Sequence, residues 1–241
     1  GTSFDPALLA VALQGEVDLD ADVWARLGDL VEQDSGGGEL RFRNTLIRDA
    51  AYEGLPFRRR RVLHGRVGET IEARAGDEEV GALALHYSEA QRHDKAWHYC
   101  RLAGNRARAI YANVEAARFY ERALAAARRV RGLADDERAE VWIALGSVRD
   151  TTGLFDASFA ALRRATTLLE ADPVAQAHVY ANRAKARMRS GAYGRALRET
   201  QAGLRRVESL DAIEAVGARA TLLAFRAEIR AWLTDNLPDG W

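Results

Sequence analysis

The sequence predicts a mainly α fold: a right-handed α-α superhelix of paired helices, preceded by a unit that carries a small β-hairpin. Three observations predict it. Trp142, Leu145, Gly146, Gly153, Phe155, Ser158, Leu162 and Ala165 are echoed 38 residues later by Tyr180, Arg183, Ala184, Gly191, Tyr193, Ala196, Thr200 and Gly203. Large, small and turn residues thus return at the same offsets, as they do in a two-helix repeat. Alanine, leucine, arginine and glutamate, all good helix formers, dominate a chain of 241 residues that holds only four prolines. The breakers stand between the periodic runs, at Gly132, Gly153, Asp172-Pro173 and Gly191.

Residues 1–75 read as one domain. Asp5-Pro6 opens a short apolar helix through Leu13, since proline suits the first helical turn. A second helix is expected from Asp20 to Val31, with Val23, Trp24, Leu27, Leu30 and Val31 on one face. The Asp34-Ser35-Gly36-Gly37-Gly38 run is the strongest breaker, and Leu30-Val31 before it and Leu40-Arg41-Phe42-Arg43 after it form a hairpin. Asn44 caps the next helix, whose buried stripe is Leu46, Ile47, Ala50, Ala51 and Leu55. Helix, helix, hairpin and helix make a winged-helix-like unit, followed after Pro56 by a basic helix, Arg58 to Arg74.

Residues 76–241 read as the repeat array. Helices are expected near 80–91, 94–110, 113–131, 136–152, 155–171, 174–190, 192–208 and 212–234. Residues 94–131 are an earlier, looser copy of the unit, through Cys100, Ala103, Gly104, Ala107, Ala116, Tyr120 and Ala123. Small residues in the middle of each first helix let the neighbouring helix approach closely. In the last helix Ile213, Val216, Leu222, Leu223, Phe225, Ile229 and Trp232 spread over more than one face. A terminal solenoid helix turns a polar face outward. Either more repeats follow, therefore, or this helix pairs with another chain, and self-association through it is expected.

Formal net charge is zero, so no global field recruits nucleic acid or an acidic membrane. Neither is an expected partner. The single cysteine, Cys100, excludes an internal disulfide framework and fits a reducing, cytoplasmic location. No apolar run approaches the ~18 residues of a membrane span. The abrupt start at Gly1-Thr2-Ser3-Phe4 reads as a piece of a longer chain.

The repeat offsets, a large residue, then Leu, Gly or Ala, later Gly-x-aromatic, Ala, aromatic and Ala, resemble the tetratricopeptide repeat over 138–170, 175–208 and, more loosely, 94–131. Arg41-Phe42-Arg43-Asn44-Thr45-Leu46-Ile47-Arg48-Asp49-Ala50-Ala51-Tyr52-Glu53-Gly54-Leu55, followed by Arg58 to Arg61 and Val62-Leu63-His64, resembles the segment behind the ATPase module of bacterial STAND-type regulators. The wording is most similar to class III adenylate or guanylate cyclases that carry an ATPase and repeats behind the catalytic domain. LuxR-type transcription regulators share the same middle, and a freestanding interaction scaffold is the further alternative. The resemblance implies an upstream ATPase as a partner within the same parent chain, and a cyclase further upstream as its output. The histidine of the family's Phe-Arg-His is Asn44 here, which can donate one hydrogen bond but carries no charge.

No phosphate-cradling Gly-x-x-x-x-Gly-Lys-Ser/Thr, no Gly-x-Ser-x-Gly and no His-Glu-x-x-His occurs, so no catalytic residue or cofactor is assigned and the region reads as non-enzymatic. His86, His93, His98 and Cys100 cluster without the paired spacings of a structural zinc site, and no metal is expected. Seven arginines fall between 40 and 61. Arg43, Asn44, Arg48, Arg58 and Arg59 are candidate contacts to a phosphate or to the ATPase; a solvated helix end is the plainer reading, and a grip on DNA phosphates the third. Residues 44–55, the helix such a unit would offer to DNA, hold Arg48 alone as a base-reading candidate. On the repeats, Glu140, Ser147, Asn182, Lys185 and Arg189 are the candidates for holding a protein or peptide partner, against the plainer reading of a solvated face.

Overall fold

The structure, a computed structural model, describes residues 3–33 and 38–236. It is mainly helical, with one three-stranded sheet among the described residues. The chain divides into two compact units, Gly1–Cys100 and Arg101–Trp241.

The first unit runs β1 (Ser3–Phe4), α1 (Pro6–Leu13), α2 (Ala21–Leu27), β2 (Val31–Gln33), β3 (Leu40–Phe42), α3 (Thr45–Glu53), α4 (Phe57–Ala75), a 3-10 turn (Gly76–Glu79), α5 (Val80–Glu89) and the first half of α6 (His93–Ala109). Side-chain caps set the starts of its first three helices. Asp5 accepts from Ala7 N at 2.8 Å, Asp20 from Val23 N at 2.9 Å and Asn44 from Leu46 N at 2.8 Å.

The helix expected over 20–31 ends at Leu27 instead. Val31, β-branched and buried, pairs with Phe42 in the sheet, and that tertiary contact outweighs the helical period. The hairpin forms, antiparallel, with Glu32 opposite Arg41; residues 34–37 of its breaker lie outside the described residues. The sheet gains a third strand, β1, on the other edge of β3, and Phe4 packs on Phe42 with ring centroids 5.5 Å apart.

Helix α4, where the sequence ends its first domain, packs on α5 within this unit. A Cβ on Gly68 would lie 3.1 Å from the Tyr87 ring. Glu72 of α4 accepts from the hydroxyls of Tyr87 and Tyr99 and, at 2.5 Å, from Lys95 Nζ. Burial would raise the Glu72 pKa, but these donors overcome it and hold the carboxyl at about 2.

The second unit holds the rest of α6, then α7 (Asn113–Ala127), α8 (Asp135–Thr151), α9 (Phe155–Leu168), α10 (Pro173–Arg189), α11 (Tyr193–Val207) and α12 (Ile213–Asn236). One turn closes its first helices. Tyr111, Gly153 and Gly191 sit in the left-handed region at φ 60°, 77° and 74°. In each case the next residue's N–H reaches five residues back: Ala112 to Ala107, Leu154 to Arg149, Ala192 to Arg187. These are Schellman turns, which satisfy the carbonyls left open at a helix end. Gln91, at φ 55°, with Arg92 N bonded to Tyr87 O, makes the same turn in the first unit.

Packing repeats with the turns. A Cβ on Gly104 would sit 2.6 Å from Tyr120 Cε1, and one on Gly146 would sit 2.8 Å from Leu162 Cγ. The two pairs have the same sequence spacing, and Ser158 closes the second hairpin by donating to Gly146 O at 2.8 Å. Helix α7 stops at Ala127, short of the expected 131, before Gly132 at φ 72°.

Candidate functional site

Most of the basic segment is bound within its own unit. Arg41 pairs with Glu32 at 2.6 Å; Arg43 reaches Glu32 at 3.3 Å and donates to Gly28 O at 3.0 Å. Arg48 pairs with Asp49 at 2.6 Å. Arg59 pairs with Glu16, which Arg66 also holds at 2.6 Å. Hydrogen bonds from Arg59 and then Arg66 keep the Glu16 carboxyl at about 2. Arg60 lies over the Tyr52 ring, 4.9 Å from its centroid, and Arg61 donates to Ala90 O at 3.5 Å. Of the candidates, Arg43, Arg48 and Arg59 therefore have carboxylate partners, and Asn44 spends its side-chain oxygen on the α3 cap. Arg58 alone of the seven arginines has no side-chain partner among the described residues.

Arg58 borders a cleft of about 540 Å³ whose lining also includes Arg61, Arg66, Arg92 and the amides of Gln14 and Gln91, with Glu69 as its one carboxylate. Arg92 sits 3.8 Å from that carboxylate. The surface is cationic and open, suited to an acidic partner. Sequence reasoning missed Arg66 and Arg92 because they lie outside the arginine run. Helix α3 follows the sheet, whereas the helix entering β2 is α2, with Arg26 as its sole basic residue. Neither helix presents a base-reading set.

On the second unit, Glu140, Ser147, Asn182, Lys185 and Arg189 are all exposed. Arg189 Nε lies 3.4 Å from Asp150 Oδ1, which ties the end of α10 to the end of α8. Asp150 is buried, and burial pushes its pKa up against the pull of Arg189 and Lys185. Lys185 and Arg189 thus share one carboxylate that the sequence reading did not single out. Glu140 instead lines a separate cleft of about 310 Å³ with Arg101, Asn105, Arg108 and Tyr120, where the Tyr120 hydroxyl donates to Asn105 Oδ1 at 2.8 Å. The five candidates therefore do not form one cluster: Lys185 and Arg189 lie by Asp150, and Glu140 lines a separate cleft.

The sequence cluster of histidines does not assemble. His86 Nδ1 lies 3.0 Å from Nδ1 of His64, a residue 22 positions away, whose Nε2 is 3.1 Å from the Tyr52 hydroxyl. Cys100 is buried, its Sγ 3.4 Å from Ser88 Oγ. Among the described residues no three His, Cys, Asp or Glu side chains converge as metal ligands, and no helix is long and apolar enough to cross a membrane.

No family model matches the chain, and no curated protein matches it. Among solved structures, BtubC (BKLC) from P. vanneervenii is similar at 17% identity over 82% of each chain, with a TM-score of 0.39.

Proposed function

We propose that this chain is a non-catalytic regulatory and protein-interaction region of a larger signalling ATPase, with a nucleotide cyclase as the output that the sequence resemblance implies. In this reading the helix pairs are tetratricopeptide-like and wind as a right-handed superhelix, and the strand-bearing N-terminal unit is winged-helix-like. A protein or peptide partner engages the exposed faces of α8 and α10, through Glu140, Ser147, Asn182 and Lys185. The N-terminal unit docks through Arg58 and its neighbours on an acidic face of the upstream ATPase. Partner binding changes the docked population only as far as the partner prefers one state over the other. Ile213, Val216 and Leu223, exposed on α12, are a self-association surface in the same reading.

The observation that carries this reading is the recurrence of one tight hairpin, with its small-to-large contact and Schellman turn, along the helices of the second unit. Arrays of this kind expose extended surfaces for other proteins. A DNA role finds little support, since the arginines nearest the sheet are neutralised by Glu32 and Asp49. The test begins with the reading frame upstream of Gly1. A P-loop ATPase there, retained by this chain and released by Arg58→Glu, is the expected result. An upstream frame without a P-loop, or retention indifferent to Arg58→Glu, overturns the switch.

A further inference from the structure

The first unit contains a second cavity, unlike the cationic cleft. It measures about 470 Å³ and is walled by β1, α1, β3, α3, α4 and α5. Phe4, Leu8, Leu9, Phe42, Leu55 and Val67 make it predominantly apolar. Its volume lies within the ~300–1,000 Å³ of small-molecule sites, which pair an apolar lining with a few convergent polar groups. Here those groups are Tyr52, His64 and His86, all lining the same space.

The three form a chain. The Tyr52 hydroxyl meets His64 Nε2 at 3.1 Å, and His64 Nδ1 meets His86 Nδ1 at 3.0 Å. With Tyr52 donating, His64 is the Nδ1–H tautomer and donates to His86, whose proton is then on Nε2. Both rings are half-buried, and burial lowers the pKa of each, His86 to about 4. Burial therefore favours the neutral form of both rings. Two charged rings with facing Nδ1 atoms would repel, so the pair accepts one extra proton at most. Charged groups around it are Arg60 on α4, Glu89 on α5, Arg48 on α3 and Asp5 before α1. Arg48 and Asp5 are neutralised by Asp49 and Arg74.

The geometry points to a binding site for a small amphiphilic acid, an acyl or aromatic body with a single carboxylate, whose body fills the apolar cavity and whose carboxylate meets the His64–His86 pair. A carboxylate there supplies a counter-charge in direct contact with the half-buried rings. Binding should then draw one proton from solvent onto the pair, leaving an imidazolium against the anion. This inference is independent of what the repeats bind.

The probe is decanoate, titrated calorimetrically into the full chain at pH 7.5 in two buffers of different ionisation enthalpy. The expected result is saturable one-to-one binding with uptake of about one proton, tightening as pH falls from 8 to 6. Decanol, equally apolar but uncharged, should bind at least about tenfold more weakly and without uptake. His86→Phe, which keeps an apolar ring, should abolish the uptake. Ala51→Phe, at the exposed side of the cavity, should block binding by filling it, and needs no change at the histidines. Absence of saturable binding at millimolar decanoate overturns the site. Equal affinity for decanol, or binding unchanged in both variants, overturns the assignment of acid and cavity.

Discussion

Replacing Gly104 by alanine tests whether close helix approach specifies the hairpins. Gly104 lies inside α6, and an added Cβ would fall 2.6 Å and 2.8 Å from Cε1 and Cδ1 of Tyr120. Tyr120 is almost fully buried and its hydroxyl is held by Asn105 at 2.8 Å, so the ring cannot swing aside and α7 must move. Overpacking of this kind costs about 1–3 kcal/mol. Alanine returns about 0.5–1 kcal/mol through its better helix propensity. The net expectation is a loss of roughly 0–2.5 kcal/mol, centred on about 1 kcal/mol. Gly217→Ala in α12 is the matched control, because nothing lies within 4 Å of its added Cβ. It should gain about 0.5–1 kcal/mol. Urea titrations read both through the midpoint at constant slope. If Gly104→Ala gains stability as Gly217→Ala does, close approach is not what holds α6 to α7.

Tyr111→Gly should raise stability by about 1 kcal/mol, because Tyr111 is held at φ 60° while 84% exposed, so strain is relieved with little packing lost; an unchanged urea midpoint contradicts it. Glu72 is held below its unfolded pKa, so its contribution is full above about 4.5 and fades as pH falls towards about 2. Glu72→Gln should therefore flatten the acid limb of the stability–pH curve, and an identical limb refutes the cluster. His86 is also held below its unfolded value, here as a neutral ring, so stability is full above about 6.5 and declines as pH falls towards about 4. His86→Phe should remove part of that slope, which thermal melts between pH 7 and 4 resolve. Light scattering at rising concentration should show self-association that Val216→Glu with Leu223→Glu reverses; a monomer throughout excludes α12 as an interface.

What was legible in the sequence follows from range. Helices α8 to α11 could be placed to within a few residues because their signals are local: apolar period, Asp172-Pro173, Gly153 and Gly191. Strand β1 could not, since two residues have no period and Ser3–Phe4 is a strand only because β3 offers an edge. The arginine run misled for a geometric reason. Arg58, Arg59, Arg60 and Arg61 are consecutive, but a helix turns about 100° per residue. Arg58 and Arg61, three apart on one face, both line the cationic cleft, while Arg59 turns to Glu16 and Arg60 to Tyr52. A run in sequence is split between faces in space. Conversely, Arg92 joins Arg58 at the cleft, and His64 joins His86, from distances that no motif spans.

The recurring turn explains why the sequence repeat fades where the structure does not. Four helix ends adopt one hydrogen-bond pattern, yet the left-handed position is Gln91, Tyr111, Gly153 and Gly191. The pattern is imposed by open carbonyls and by the partner helix, and glycine merely makes it cheaper. The small-to-large contact behaves alike: Gly104 against Tyr120 and Gly146 against Leu162 keep the fit while exchanging the large residue. What is repeated is a volume and a set of hydrogen bonds rather than residue identities. Residues 94–131 therefore look like a loose copy in letters while making the same hairpin. Repeat boundaries in such a chain are better located by the left-handed turn than by the best-matching glycine.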